Sequence, residues 1–298
     1  MSETTDAAGT TDAAGTTGAT GTARPARTGT APEGTPSLLG LAAARTGIEL
    51  KQFFRQRDSV VFTFAFPVIL LFIFGSVFSD DIAPGVSFTQ YFTAGMVASG
   101  IVLSSFQSLA IGIAVERDDG TLKRLRGTPM PAAAFFLGKI GLVLVTAVAQ
   151  TAILLAIGAL LFELDLPTSP ELWLRFAWIF VLGTAAGTVV GITFSSVPRS
   201  SKSAPAVVSP VVIVLQFVSG VFFVYGELPS WMQNVAQVFP LKWLAQGMRS
   251  VFLPDSFAAE EVGGSWQLPQ TALVLAAWTV VGLLLALRTF RWLRRSEG

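Results

Sequence analysis

Six long apolar stretches, near residues 59–79, 91–115, 133–162, 172–197, 204–225 and 269–291, constrain this chain more than any other feature. Each meets the roughly 20 residues that an α-helix needs to cross a ~30 Å hydrocarbon core. Lipid offers no hydrogen-bond partner to an exposed backbone, so runs of this kind span as helices. Charged residues are 13% of the chain, against about 25% in an ordinary soluble domain. The expectation is an all-α membrane protein with six transmembrane helices. Several runs exceed the minimum, which predicts tilt or extension into water. Pro67, Pro205 and Pro210 fall inside runs and mark candidate kinks.

Outside the runs the chain divides into distinct parts. Residues 1–36 are nearly all Thr, Ala, Gly, Pro and Ser, and without apolar periodicity they read as a disordered tail. They hold no continuous apolar core of a secretory signal. Residues 37–58 read as an interfacial helix ahead of the membrane domain at 59–295. Leu39, Ala43, Leu50, Phe53 and Phe54 fall on one side of a helical wheel, opposite Arg45, Glu49, Lys51, Gln52, Arg55 and Gln56. A soluble surface helix would show the same wheel.

Orientation follows from the basic residues. With six spans and both termini inside, only Arg175, Lys242 and Arg249 lie outside, leaving 17 of the 20 Lys and Arg on the inner face. That arrangement satisfies the positive-inside rule and its reverse does not. A multi-pass protein of the cell membrane with cytoplasmic termini is therefore expected. The longest outer connection, about 226–268, carries Trp231, Met232, Phe239, Trp243, Met248 and Phe252 between Pro229, Pro240 and Pro254. It reads as two short amphipathic helices, 229–238 and 241–252, tucked at or into the outer leaflet, a depth that tryptophan favours.

Residues 116–129, Glu-Arg-Asp-Asp-Gly-Thr-Leu-Lys-Arg-Leu-Arg-Gly-Thr-Pro, place seven ionised side chains between the second and third runs. Gly120 permits a turn that a Cβ would resist. Thr121 is a candidate cap for a short helix, and Leu122 and Leu125, spaced i and i+3, share one of its faces. Pro129 and Pro131 end it. Two leucines on a cytosolic loop call for a groove on a partner, although a solvated loop that only sets topology would also be charged.

The string Glu116-Arg117-x-x-Gly120-Thr121-Leu122-x-x-Leu125-x-x-Thr128-Pro129 after a second span resembles the integral membrane subunits of type 2 ABC exporters, including the daunorubicin-resistance-like drug exporters. The resemblance covers roughly 37–295. It implies that Glu116, Arg117, Gly120, Thr121, Leu122, Leu125, Thr128 and Pro129 form a coupling helix seated on a separate ATPase. It implies that 38–57 is a connecting helix near that ATPase. It also implies a dimer, a path lined largely by the first, second and fifth spans, and an outer gate between spans five and six. ATP and Mg would be bound by the partner ATPase, with no cofactor in this chain. A phosphate-cradling loop needs Gly-x-x-x-x-Gly-Lys-Ser/Thr; the one Gly-Lys here, Gly138-Lys139, is followed by Ile140 and has Ala133 where the first glycine belongs.

Within the runs, Gly183, Gly187 and Gly191 recur every four residues, a spacing that lets helices approach closely within a subunit or across a dimer. Polar span residues such as Gln107, Gln150 and Gln216 suit interhelical hydrogen bonds or a cargo path. With Phe106 and Phe217, Gln107 and Gln216 are the candidate path residues, because the resemblance places those spans there.

Three function classes compete. Proton-coupled transport wants intramembrane carboxylates or histidines; the chain has no histidine, and none of the six runs carries Asp or Glu. A membrane enzyme needs a positioned base or metal, and neither Cys nor His is present. The third class is the one the resemblance implies: a permease subunit of an ATP-driven exporter for a hydrophobic or amphipathic, drug-like compound. Its expected partners are an ABC-type ATPase, a second permease copy as a homodimer and the lipid bilayer, with no nucleic acid. Lipid- or glycan-linked cargo, and ion coupling, stay as alternatives.

Overall fold

The computed structural model describes residues 37–290 apart from Ser79 and Glu163. The tail at 1–36 and the basic residues Arg24, Arg27, Arg291, Arg294 and Arg295 lie outside the described residues. Eleven helices and one two-stranded hairpin are found among those described. Five helical segments are long and apolar enough to cross a membrane: α2 (Arg57–Val77), the segment Phe88–Asp118, α6 (Ala132–Leu161), α7 (Pro170–Phe194) and α11 (Leu268–Thr289). The chain is thus a mostly helical membrane protein. The expected fifth run, 204–225, is helical only over α8 (Ser203–Val218), 16 residues or ~24 Å. It stops because Gly220 takes φ +71° and a Cβ there would press on the Tyr225 side chain.

Two features depart from an all-helical reading. The link between α2 and the next segment holds a small antiparallel hairpin, β1 (Asp81–Ala83) and β2 (Val86–Ser87). The segment Phe88–Asp118 is not one regular helix. It runs as α3 (Phe88–Val102), a π-helical turn at Leu103–Gln107, and α4 (Ser108–Asp118). The Ser87 side chain and Gln90 cap α3 reciprocally, a capping box that meets two otherwise orphaned backbone donors.

The bundle is built around α3 and α10 (Pro240–Phe252). Every residue of α10 from Leu241 to Phe252 is buried, and it packs on α3, α7 and α11. Two short helices do lie in the stretch expected to hold them, and they differ in burial. Helix α9 (Ser230–Ala236) is largely exposed, while α10 is enclosed by protein. Trp278, midway along α11, donates its Nε1–H to the Val238 carbonyl at 2.8 Å, which ties the α9–α10 junction to the middle of that helix. Polar residues of this stretch meet one another inside. Arg249 is fully buried, pairing through Nε with Glu261 Oε1 at 2.5 Å and through Nη2 with Oε2 at 3.2 Å. Its guanidinium also lies 4.7 Å from the Tyr91 ring centre.

Helix α1 (Leu38–Arg55) departs from its helical wheel at two charged residues. Leu39 and Phe54 are exposed, whereas Arg45 and Glu49 are 7% and 3% exposed. Arg45 and Glu49 face α6, where Gly138 and Gly141 are so close to Arg45 and Thr46 that a Cβ would collide, while Lys51, Gln52, Arg55 and Gln56 stay exposed. On a helix that meets lipid, the apolar side can point outward, provided the buried charges find partners.

Candidate functional site

The charged hairpin opens at the end of α4, and its first three residues reach three directions. Glu116 Oε1 accepts from Lys139 Nζ of α6 at 2.6 Å and lies 3.6 Å from Arg45 of α1. Lys139 also donates to Glu49 Oε2 at 2.7 Å, and Arg45 pairs with Glu49 one turn along α1. Two cations and two anions therefore form a closed, nearly dry cluster joining α1, α4 and α6. The Phe135 ring lies beside it, 5.4 Å from the Arg45 guanidinium and 5.6 Å from Lys139 Nζ. Arg117 donates to the Ser195 carbonyl at 2.8 Å and to its hydroxyl at 3.0 Å, so a cation meets the C-terminal end of α7, where the helix dipole favours it. Asp118 Oδ2 accepts the backbone N–H and the hydroxyl of Ser201 at 3.0 and 2.8 Å, just before α8.

The chain then turns at Gly120, φ +77°, and forms α5 (Thr121–Arg126). Thr121 is the first residue of α5, and the expected capping role is corrected. Asp119 Oδ1 accepts the Thr121 N–H at 2.9 Å, because the turn at Gly120 folds that carboxylate over the open helix start. The partner groove expected for the leucines is also corrected. Leu122 is fully buried among Leu109, Ile113, Phe135, Val143 and Ile192, and Leu125 packs half-buried on the same cluster. The groove they need is supplied by their own chain. The face left in water is Lys123, Arg124 and Arg126, followed by Gly127, Thr128 and Pro129. Thr128 closes the element by donating its hydroxyl to the Leu125 carbonyl at 2.7 Å.

The proposed path residues do not converge. Gln216 is buried and donates to Ser99 Oγ at 2.6 Å, and Gln150 accepts from Ser104 at 2.9 Å. Gln107 faces α8, donating to Ser209 at 3.4 Å. Phe106, one residue earlier on the π-helical turn, points the other way against Phe194 at 5.4 Å between ring centres. Phe217 stays exposed on α8, beside Phe222 and Phe223. Gly183, Gly187 and Gly191 lie along one face of α7. A Cβ at Gly183 would strike Leu244 of α10, one at Gly187 would strike Ser105, and one at Gly191 would come 2.8 Å from the Phe106 carbonyl. The close approach is made within this chain, against the π-helical turn and α10.

The residues that sequence reasoning missed are Glu49, Lys139 and Arg45 as a unit. A signal existed: Lys139 is the one ionised residue in the run 132–161, and such a residue normally has a partner. The buried group around α10 was missed as well. Burial pushes the Lys242 amine down to about 8, against the pull of Glu261 in the other direction. Its ammonium is held by Gln246 Oε1 at 2.5 Å and lies 3.6 Å from the Trp243 ring centre.

The fold and site define a membrane protein: a bundle of apolar helices with a charged hairpin pinned to its end. Residues 44–253 match the ABC-2 type transporter family, and the chain belongs to that family. It is the permease component of an ABC exporter, and ATP hydrolysis belongs to a separate subunit. It is 22% identical over 254 residues to the putative transport permease YvfS of Bacillus subtilis, covering 84% of this chain and 95% of that protein. It is 23% identical over 196 residues to the probable multidrug ABC transporter permease YbhR of Escherichia coli, covering 66% of this chain and 51% of that protein.

Proposed function

We propose that this permease exports an amphipathic, drug-like compound as a homodimer, by alternating access, with α5 as the helix on which the ATPase pushes. The reading takes α8 as a sixth crossing, so that both termini and α5 lie in the cytoplasm, in keeping with the distribution of basic residues. One observation carries it. Glu116, Arg117 and Asp118 tie the base of α5 to α1 and α6, to α7, and to the start of α8, while Leu122 roots α5 in the core. A force on the exposed side of α5 therefore reaches five helices at once and is not absorbed by a loose loop. Gly120 and Thr121 set the angle of the rod, and Leu125, Thr128 and Pro129 finish its free edge. Helix α1 serves as the connecting helix through Arg45 and Glu49.

In this reading the cargo moves along the side of the bundle where Gln107, Phe217 and the exposed apolar face of α8 lie, against the second copy. Gln216, next to them in sequence, supports the wall through Ser99, and Phe106 braces its rear. Family membership decides against ion coupling; lipid- or glycan-linked cargo would use the same lever.

The chain has no cysteine, so a single Thr128→Cys variant reports sidedness directly. An impermeant maleimide should label it in inside-out vesicles and not in intact cells. An Arg124→Glu variant should reach the membrane at normal level and lose at least tenfold in ATP-dependent export. Full export by Arg124→Glu, or labelling from outside, refutes the coupling role.

A further inference from the structure

Helix α8 packs on α4, the π-helical turn, α9 and α10, and α11 packs on α7 and α10. A cavity of about 270 Å³ remains between α8 and α11, with Phe106, Gly187 and Leu244 at its inner end. Only two polar groups belong to its lining side chains, and both are already committed. The Thr193 hydroxyl donates to the carbonyls of Val189 and Gly282 at 2.9 and 3.0 Å, and the Trp278 N–H goes to Val238. Water gains nothing there, since it needs two to four polar partners to occupy a cavity.

The mouth is sideways. Leu285 is exposed on α11, and Val211 and Leu215 are half-buried on α8. Trp278 stands midway along α11, ~15 Å from either end at 1.5 Å per residue. Phe194 closes the cavity at the last residue of α7, on the side of the bundle that carries α5. The cavity thus runs from mid-bundle toward that end. Half of a ~30 Å hydrocarbon core is ~15 Å, which is the depth that the tails of one leaflet fill.

We infer that this cavity seats one acyl chain of a bilayer phospholipid from the leaflet on the α5 side. The chemistry fits a tail and nothing polar: the walls are apolar, no donor or acceptor is left over, and the entrance faces the lipid. The glycines of α7 shape the seat. Gly183 and Gly187 present no side chain to it, and a Cβ at either would also strike Leu244 or Ser105.

The test is photo-cross-linking. The full-length chain is reconstituted in vesicles of phosphatidylcholine doped with a phosphatidylcholine whose acyl chain carries a diazirine, and the adducts are mapped by mass spectrometry. Annular lipid should label Leu287, on the outer surface of α11. A seated tail should in addition label Leu244, fully enclosed at the inner end. Val211→Trp and Leu215→Trp, each narrowing the mouth, should cut the Leu244 adduct at least tenfold and leave Leu287 labelled. Leu284→Trp, on the exposed side of α11, should change neither. No Leu244 adduct in the wild type overturns the inference, as does an adduct that both mouth variants leave intact. An adduct obtained with a diazirine alkane but not with the phospholipid would identify a free apolar molecule as the occupant and also overturn it.

Discussion

The four-charge cluster at the base of α5 gives the sharpest test of how the site is held. Replacing Lys139 by Met removes the cation that bridges Glu49 and Glu116 at 2.7 and 2.6 Å. Both carboxylates are then left to Arg45 in a space where Glu49 is 3% exposed. Breaking a buried pair from one side costs about 3–5 kcal/mol, because the surviving charge has lost both its water and its partner. Three kcal/mol is about a hundredfold in the folded-to-unfolded ratio. Glu49→Gln alone leaves Arg45 and Lys139 with only Glu116 and should cost a similar amount. The double variant keeps Arg45 and Glu116, which already lie 3.6 Å apart, and the cluster is neutral again. The two changes together should therefore cost less than their sum by about 2 kcal/mol, a coupling well above the ~0.5 kcal/mol expected of independent sites. The assay is reversible unfolding of the detergent-solubilised permease, measured on all four members of the cycle. Additive losses would refute the claim that these charges hold one another.

Three further outcomes follow from the packing. Leu122→Ala should destabilise the permease by about 2–5 kcal/mol, the range for a buried leucine, in the same unfolding assay; a loss under 1 kcal/mol would mean that α5 is not rooted in the core. Lys242 should make stability rise with pH between about 8, its buried value, and 10.5, its ordinary one. In that window the unfolded chain binds the proton that the folded chain has released, so the gain is complete above 10.5 and lost as pH falls through 8, and thermal melts of Lys242→Met should be flatter over the same range. Gln216→Leu should lose about 0.6 kcal/mol, the usual worth of an interhelical hydrogen bond in a membrane protein, and Ser99→Ala should add little to it in a double variant.

What the sequence made legible was whatever rests on composition along a single segment. Five of the apolar runs end within about three residues of their helices, since twenty apolar residues in a row have few other fates. At the end of the second run, 91–115, the helix outlasts the apolar residues. Its helix extends to Asp118 because Glu116, Arg117 and Asp118 are all satisfied by other helices and can stay helical. Hidden from the sequence was whatever depends on which segments meet. The wheel of α1 separates its residues correctly and says nothing about which side is covered; Lys139, 90 positions from Glu49, decides that. Lys242 and Arg249 read from the sequence only as outer basic residues, because nothing near them announces that Glu261 and Tyr91 close over Arg249. Leu122 and Leu125 read as seeking a partner for the same reason: their neighbours Ile113, Phe135 and Val143 come from other segments.

The segment Phe88–Asp118 touches both charged groups, and this bears on how a lever at one end could move a gate at the other. Its first turn carries Tyr91, whose ring lies against Arg249 of α10 and whose hydroxyl accepts the Tyr225 N–H at 2.8 Å. Its last turn carries Glu116, Arg117 and Asp118, the roots of α5. A straight α-helix between these points would transmit a push along its axis and little else. The π-helical turn at Leu103–Gln107 interrupts it, and such turns supply one surplus residue that can be taken up or passed along the helix. That turn is also where Gly187 and Gly191 of α7 press closest and where Ser104 holds Gln150 of α6. In the proposed mechanism, displacement of α5 therefore meets a fulcrum at 103–107. The half below it, α4, can rock with α5 while the half above, α3, stays packed on α10. The outer group then opens only when the turn itself is reset, which makes a fixed α-helical register through Ser104 incompatible with export.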